Sequence, residues 1–271
     1  MLATVYSDAP SPGRSRVPAG RWWRALVLLM LSGGVSAQLF AEQQSSSAER
    51  FADRALKAYM EARRAHLADR ADVDKAWRFG RACFDWAEFS TTKKQRASLA
   101  EEGIAACRRV VDANPRLAAG HYYLALNLGQ LARTQKLGAL PLVAELKGAL
   151  EKARSLDAKL DNAGPDRCLG MLFRDAPGWP ISVGSKKKAR VHLSNAVAVD
   201  RTYPGNRLEL LSAAIEWDDK ALLKAQLSET AKVMQSARKE YSGTKWEGKW
   251  AIWDSRWQRI RKTAAEDFSI R

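Results

Sequence analysis

Apolar residues recur every three or four positions through most of the chain beyond residue 50, which is the period of an amphipathic helix. No long run of alternating β-branched residues interrupts this pattern, so strands are not predicted. Proline, glycine and asparagine punctuate the pattern at 114–115, 162–165 and 203–206, where we expect helices to end. The sequence therefore predicts an all-α protein.

Three segments at the ends of predicted helices resemble one another: CRRVVDANP, EKARSLDAK and SNAVAVDRT. Their aspartates, Asp112, Asp157 and Asp200, lie 45 and 43 residues apart. The helix that opens each unit pairs a large residue with a small one, as at Leu169-Gly170, and the small residue lets a second helix approach closely. These features resemble the tetratricopeptide-type helix pair, with a period longer than its usual length of about 34 residues. We predict a tetratricopeptide-like helical-repeat solenoid of antiparallel helix pairs.

The C-terminal segment KWEGKWAIWDSRW contains tryptophans at positions 246, 250, 253 and 257. Steps of four, three and four residues place them in one stripe of a helix, and charged residues occupy the other faces. Such a stripe is typical of a last helix that covers the exposed end of a repeat stack. The alternative is a stripe that binds a membrane surface or a partner helix. We predict a Trp-rich C-terminal capping helix.

The N-terminal segment has the pattern of a secretory signal. Four arginines precede an apolar run at 25–31, and the small residues VSA at 35–37 have the form of a cleavage site. The run is shorter than the roughly 20 residues that span a bilayer. We predict a signal peptide over 1–37, a Ser-rich linker over 38–49, one helical-repeat domain over 50–271, and a periplasmic protein without a transmembrane span. A buried N-terminal helix is the alternative interpretation.

A narrower resemblance covers about the middle 100 residues. HYYLALNLGQLAR from His121, the segment from 156 to 200, and YPGNRLELLSAAIEW resemble the T component associated with TRAP transporters, with Gly164, Pro165, Pro177 and Gly184 among the matching residues. This resemblance implies an exported, non-enzymatic scaffold linked to solute uptake, whose protein partner is a solute-binding protein. A small anionic solute, a homo-oligomer, and a general envelope adaptor with no transport role all stay open.

The loop RDAPGWPISVG, 174–184, is longer than most helix connections and carries two prolines and an aromatic residue. Trp179 is either a contact residue on this loop or a plug against the preceding helix. Three lysines, 186–188, follow in the predicted first turn of the next helix, where cations oppose the helix dipole. An anionic ligand, an acidic partner, a nearby carboxylate or plain solvation could offset this cost.

Arg167 and Arg174 lie seven residues apart and share a helix face, where they either grip a carboxylate or pair with Asp166 and Asp175. His121 occupies a position that is aromatic in such repeats, which favours a packed histidine over a ligand. The candidate contacts with a protein partner or ligand, drawn from the loop and the predicted concave surface, are His121, Tyr122, Asn127, Arg167, Arg174 and Trp179.

The sequence shows no motif for catalysis, a cofactor or a metal. G-x-S-x-G, a Cys-His signature, a phosphate loop and C-x-x-C are all missing. We therefore predict no enzyme activity, with an unrecognised active site as the weaker alternative. Cys83, Cys107 and Cys168 are expected as buried free thiols, with a Cys83–Cys107 bridge as the alternative. The net charge is +15, but export favours an anionic surface or acidic partner over nucleic acid.

Overall fold

A computed structural model describes residues 33–135 and 139–270, with side chains from residue 49 onward. The described residues form ten helices and no strand: α1 (Gly33–Ala68), α2 (Val73–Ala87), α3 (Lys93–Ala113), α4 (Ala118–Ala132), α5 (Ala139–Leu156), α6 (Leu160–Asp175), α7 (Lys186–Val199), α8 (Pro204–Glu216), α9 (Lys220–Glu240) and α10 (Thr244–Glu266). The all-α prediction is confirmed.

The helices stack as pairs. α2 packs on α3, α4 on α5, α6 on α7 and α8 on α9, and each pair also packs on the next. The first helices of the pairs touch one another along a second row, α2 to α4 to α6 to α8, and α10 extends the row by packing on α8. Two rows of antiparallel helices are the architecture of a helical-repeat solenoid. The predicted helix-pair solenoid is confirmed, and α2, α4, α6, α8 and α10 form its inner row.

Small residues set the spacing within the pairs, as the sequence indicated. A Cβ atom on Gly170 of α6 would lie 2.6 Å from Cγ of Leu193 and 3.0 Å from its backbone nitrogen. On Gly80 of α2 it would collide with the sulfur of Cys107. Both pairs of helices therefore approach at a distance that only glycine permits at these positions.

We expect Gly170→Ala to lower the free energy of unfolding by about 1–3 kcal/mol, because the added methyl forces α6 and α7 apart. Gly148 on α5 is the matched control, since it is exposed and a Cβ atom there would meet nothing within 4 Å. Gly148→Ala should stabilise the protein by up to about 1 kcal/mol through helix propensity alone. Urea denaturation of both variants measures the difference, and equal effects would contradict the close packing at Gly170.

The Trp-rich helix α10 covers the last pair. Trp250 and Trp253 are buried against α8 and α9 in a cluster with Tyr203 and Tyr241, while Trp246 packs at its margin. The indole nitrogen of Trp250 donates to the carbonyl of Tyr241 at 2.6 Å. Rings of this size each bury 150–250 Å² and close the open end of a stack. The prediction of a capping helix is confirmed.

Helix α1 begins earlier in the chain than the predicted helical-repeat domain. The linker predicted over 38–49 lies inside α1, because Ala, Gln and Glu in this segment favour helix and its three serines oppose it only weakly. Residues 1–32, most of the predicted signal peptide, lie outside the described residues, and 33–37 belong to α1.

The downstream part of α1 packs on α2, yet its residue Arg54 reaches the far end of the solenoid. The guanidinium of Arg54 donates to the carbonyl of Thr244 at 2.5 Å and to Glu247 at 2.6 Å, both on α10. The ring of Phe51 lies beside Gly248 of the same helix. Helix α1 therefore contacts both the first and the last helix of the inner row.

Candidate functional site

The inner row carries two groups of aromatic side chains, one on α2 and α4 and one around α8 and α10, and most of these rings are buried. The indole of Trp77 on α2 stacks on Tyr123 of α4 with ring centroids 5.7 Å apart. Tyr122 meets Tyr123 edge-on at 5.1 Å. Tyr203, at the start of α8, lies 6.4 Å from the ring of Trp246 on α10. We call the inner-row surface that carries Arg81, Asp85, Asp161 and Lys249 the groove.

Charged groups from both ends of the solenoid converge in the groove. Arg81 and Asp85 of α2 form an ion pair at 3.5 Å, and Asp85 keeps 49% of its side chain exposed. Burial among surrounding protein atoms nevertheless raises the pKa of Asp85, as does the carboxylate of Asp161, while Arg81 and Lys249 of α10 lower it. The ammonium of Lys249 donates to the hydroxyl of Tyr203 at 3.1 Å.

A turn at the start of α6 supplies the central carboxylate. Asp161, Asn162 and Ala163 have φ values of 48°, 56° and 61°, a left-handed conformation that costs about 1–2 kcal/mol per L-residue. Arg167 offsets this cost by donating to the carbonyl of Asn162 at 2.9 Å and to the carbonyl of Asp161 at 3.1 Å. Buried Asn206 of α8 donates to the same Asn162 carbonyl at 3.1 Å.

The turn aims Asp161 at its neighbours in the groove. Its carboxylate accepts from the hydroxyl of Tyr122 at 2.7 Å and from Arg167 at 2.9 Å. Burial opposes ionisation, but Arg167 and Lys249 outweigh it and lower the pKa of Asp161. Asp161 is therefore an ionised, partly exposed acceptor at the centre of the groove.

Two of the predicted contact residues, His121 and Asn127, are buried and form hydrogen bonds within the protein. Nε2 of His121 lies 2.9 Å from the carbonyl of Pro115, and the ring is buried, as expected of a packed histidine. Asn127 is fully buried and donates to the carbonyls of Gly80 and Tyr123, each at 2.8 Å. These two side chains join α4 to the preceding loop and to α2, and neither faces the groove.

The two predicted arginines pair with different carboxylates of the chain. Arg167 pairs with Asp161, whereas Asp166 is held by Arg154 at 2.8 Å and by His192 at 2.7 Å. The predicted pairing of Arg167 with Asp166 is wrong, because the left-handed turn brings Asp161 closer. Arg174 pairs with Asp175 at 2.5 Å, as predicted, and with Glu209 and Glu216 at 3.2 and 3.4 Å.

Trp179 stands apart from the other predicted contacts. Its side chain is 88% exposed, so the alternative of a plug against the preceding helix is wrong. Tyr122, by contrast, is buried, and its hydroxyl donates to Asp161. Of the six predicted residues, Tyr122 and Arg167 form part of the floor of the groove, and Trp179 lies on a separate surface.

The most accessible groups in the groove were not singled out in the sequence. Arg81 and Asp85 have the ordinary spacing of a surface ion pair on a helix, and Lys249 sits among the tryptophans of the capping stripe. One signal in the sequence could have identified them. Trp77, Arg81 and Asp85 follow one another at steps of four residues, so they share the face of α2 that belongs to the inner row.

The described residues carry neither a metal-ligand cluster nor a helix able to span a membrane, and their cysteines are free. Across 33–135 and 139–270 there is no group of three His, Cys, Asp or Glu residues able to hold a metal ion. Within the same ranges no helix is both long and apolar enough to cross a bilayer. Cys83, Cys107 and Cys168 are free, and burial raises the pKa of the Cys107 thiol to about 12, so this thiol is not a nucleophile at neutral pH.

Comparison with known proteins agrees with this architecture. The crystal structure of a thermophilic TPR protein from Thermus thermophilus superposes with a TM-score of 0.54 at 15% sequence identity, covering 84% of this chain and 95% of that chain. At this identity the likeness concerns the fold alone. A family model described as Regulator of microtubule dynamics protein 1-3 matches residues 36–161, which is less than half of the chain. No curated protein sequence matches the chain.

Neither match concerns the T component of TRAP transporters, so of that resemblance only the repeat fold is shown. TPR-like folds typically serve as scaffolds that bind proteins on a concave surface. The chain thus has a TPR-like helical-repeat fold.

Proposed function

We propose that this protein is a non-enzymatic scaffold that binds an extended segment of a partner protein in the groove. The observation that carries the proposal is that an accessible ion pair, Arg81–Asp85, lies close enough to Lys249 and Asp161 for their charges to act on one another. The partly exposed rings of Trp77 and Trp246 supply contact area, and fixed charges of both signs select the register of a bound chain.

The groove carries both positively and negatively charged side chains. Lys249 and Arg81 would receive acidic side chains of the partner, and Asp85 would receive a basic one. Because the rings of Trp77 and Trp246 are already packed against Tyr123 and Tyr203, little side-chain entropy is lost when a partner covers them.

Exchanging the two charges on α2 tests this proposal. The double variant Arg81→Asp with Asp85→Arg keeps the net charge and an i,i+4 ion pair but inverts the charge pattern of the groove. Peptides are first selected from a random display library for binding to the wild-type protein. We expect the double variant to bind these peptides with an affinity at least tenfold lower, or about 1.4 kcal/mol. Fluorescence anisotropy of the labelled peptides measures the change.

The matched control exchanges an equivalent pair outside the groove. Lys147 and Glu151 of α5 form an i,i+4 ion pair at 2.7 Å on the outer row. Lys147→Glu with Glu151→Lys should leave the affinity unchanged. Equal loss in both variants, or in neither, would contradict binding in the groove.

A finer version of the proposal is that the protein is exported and that its partner is the solute-binding protein of a TRAP system. It is supported by the signal-like pattern at 1–37 and by the sequence resemblance around 121–206. Two measurements test it: N-terminal sequencing of the protein from the periplasm, and capture of that solute-binding protein by the wild type but not by the groove variant. A chain recovered whole from the cytoplasm would overturn export and leave a general adaptor.

A further inference from the structure

The α6–α7 connection is an ordered projection, which we call the Trp loop (residues 176–185). The backbone nitrogen of Gly184 donates to the carbonyl of Pro177 at 2.8 Å, and Ser185 donates to the carbonyl of Phe173 at 2.7 Å. Within the loop, Ile181 donates to the carbonyl of Gly178 at 3.1 Å. A Cβ atom on Gly184 would lie 2.7 Å from the Pro177 carbonyl oxygen, so glycine is needed where the base closes.

The tip of the Trp loop is apolar and uncovered. Trp179 is 88% exposed and Ile181 is 65% exposed, more than any other large hydrophobic side chain in the described residues. One ring and one aliphatic side chain are far smaller than the roughly 800 Å² per partner that a stable protein interface buries. Insertion into the boundary of a lipid bilayer, in contrast, needs only a few such groups, and tryptophan favours that boundary.

Positive charge without carboxylate partners surrounds the base of the loop. Within the described residues, Lys186, Lys187 and Lys188 form no ion pair, and all three are exposed. The ammonium of Lys186 lies 3.3 Å from the carbonyl of Trp217, and that of Lys188 lies 5.4 Å from the ring centre of Phe173. Neither contact neutralises charge.

The nearby carboxylates are already engaged by arginines. Asp175 and Glu216 are paired with Arg174, and Asp219 is paired with Arg190. The three lysines also lie in the first turn of α7, where the helix dipole disfavours cations. An anionic surface at this position would relieve both the unpaired charge and the opposed dipole.

We propose that the Trp loop docks this protein on an anionic lipid bilayer. Trp179 and Ile181 enter the interfacial region, and Lys186–Lys188 contact the acidic headgroups. Each lysine near such a surface contributes about fivefold to the partition coefficient, and the net charge of +15 adds long-range attraction. This surface is separate from the groove, so docking leaves the groove free for a partner.

The test is co-sedimentation of the full chain with vesicles. One set contains equal parts of phosphatidylcholine and phosphatidylglycerol, and the other contains phosphatidylcholine alone. We expect binding to the anionic set only, weakened at least tenfold by Trp179→Ala with Ile181→Ser, and similarly by Lys187→Gln with Lys188→Gln. All four positions are exposed, so these variants should fold, which circular dichroism and thermal unfolding verify.

The charge-matched control is Lys152→Gln with Lys239→Gln. These exposed lysines lie near the C-terminal ends of α5 and α9, on the edge of the solenoid opposite the Trp loop, and the control should bind like the wild type. Equal weakening by the two lysine variants would reduce the effect to net charge and overturn the proposal. Absence of binding to anionic vesicles would also overturn it, and would leave the tip as a contact for a protein pocket.

Discussion

Replacing Glu209 by glutamine is expected to destabilise the protein by about 3–5 kcal/mol, because it leaves the largely buried guanidinium of Arg256 without a counter-charge and removes one of the three carboxylates that pair with Arg174. Glu209 lies on α8 with only 4% of its side chain exposed. It accepts from Arg174 of α6 at 3.2 Å and from Arg256 of α10 at 2.5 Å. One carboxylate thus joins three helices of the inner row. Urea denaturation of wild type and Glu209→Gln at neutral pH measures the loss.

The pH dependence of stability provides a second test of the role of Glu209. Burial raises the pKa of Glu209, but Arg256 and Arg174 outweigh it and lower the pKa from 4.5 to about 2. A lowered pKa in the folded state means that the stabilisation is complete above pH 4.5 and is lost as the pH falls toward 2. Since glutamine does not titrate, the difference in unfolding free energy between the two proteins should shrink over that interval.

An exposed glutamate supplies the comparison for Glu209. Glu151 has 47% of its side chain exposed and pairs with Lys147 on the surface of α5. Glu151→Gln should change stability by no more than about 0.5 kcal/mol, since exposed pairs contribute little. If both glutamine variants cost the same, Glu209 does not hold the three helices together through charge.

The helices, their pairing and the Trp cap could be predicted because each rests on a local periodic pattern. The step of the four tryptophans sets their stripe, and Gly170 marks close approach wherever its partner helix lies. Segment 38–49 escaped prediction because helix and linker compositions overlap there, and extension of a helix that has already formed adds residues at little cost.

The groove could not be predicted because it depends on distances between units. Asp85 and Lys249 are 164 positions apart in sequence, and only the curvature of the stack brings them to one surface. The left-handed turn at 161–163 was equally hidden, since none of its residues is glycine. It exists because Arg167 and Asn206, on other parts of the fold, satisfy its carbonyls.

Arg167→Ala distinguishes the ligand contact expected from the sequence from the structural role that Arg167 has at the left-handed turn. A ligand-contact arginine would lose binding and keep stability. Arg167 instead donates to two carbonyls of the left-handed turn, to the carboxylate of Asp161 and, at 2.9 Å, to Asn206. Removing it leaves the turn strained and its acceptors unsatisfied, so we expect a loss of about 3–5 kcal/mol.

Two further variants locate the effect of Arg167→Ala. Arg167→Lys keeps the charge without the planar fork and should recover only part of the stability, because one ammonium cannot reach four acceptors spread around the turn. Lys249→Gln removes a charge from the groove and leaves the contacts of the turn in place. It should therefore lower the affinity for the selected peptides and leave the denaturation midpoint nearly unchanged. An Arg167→Ala protein as stable as the wild type that no longer binds peptides would restore the ligand role, because the turn would then stand without the guanidinium.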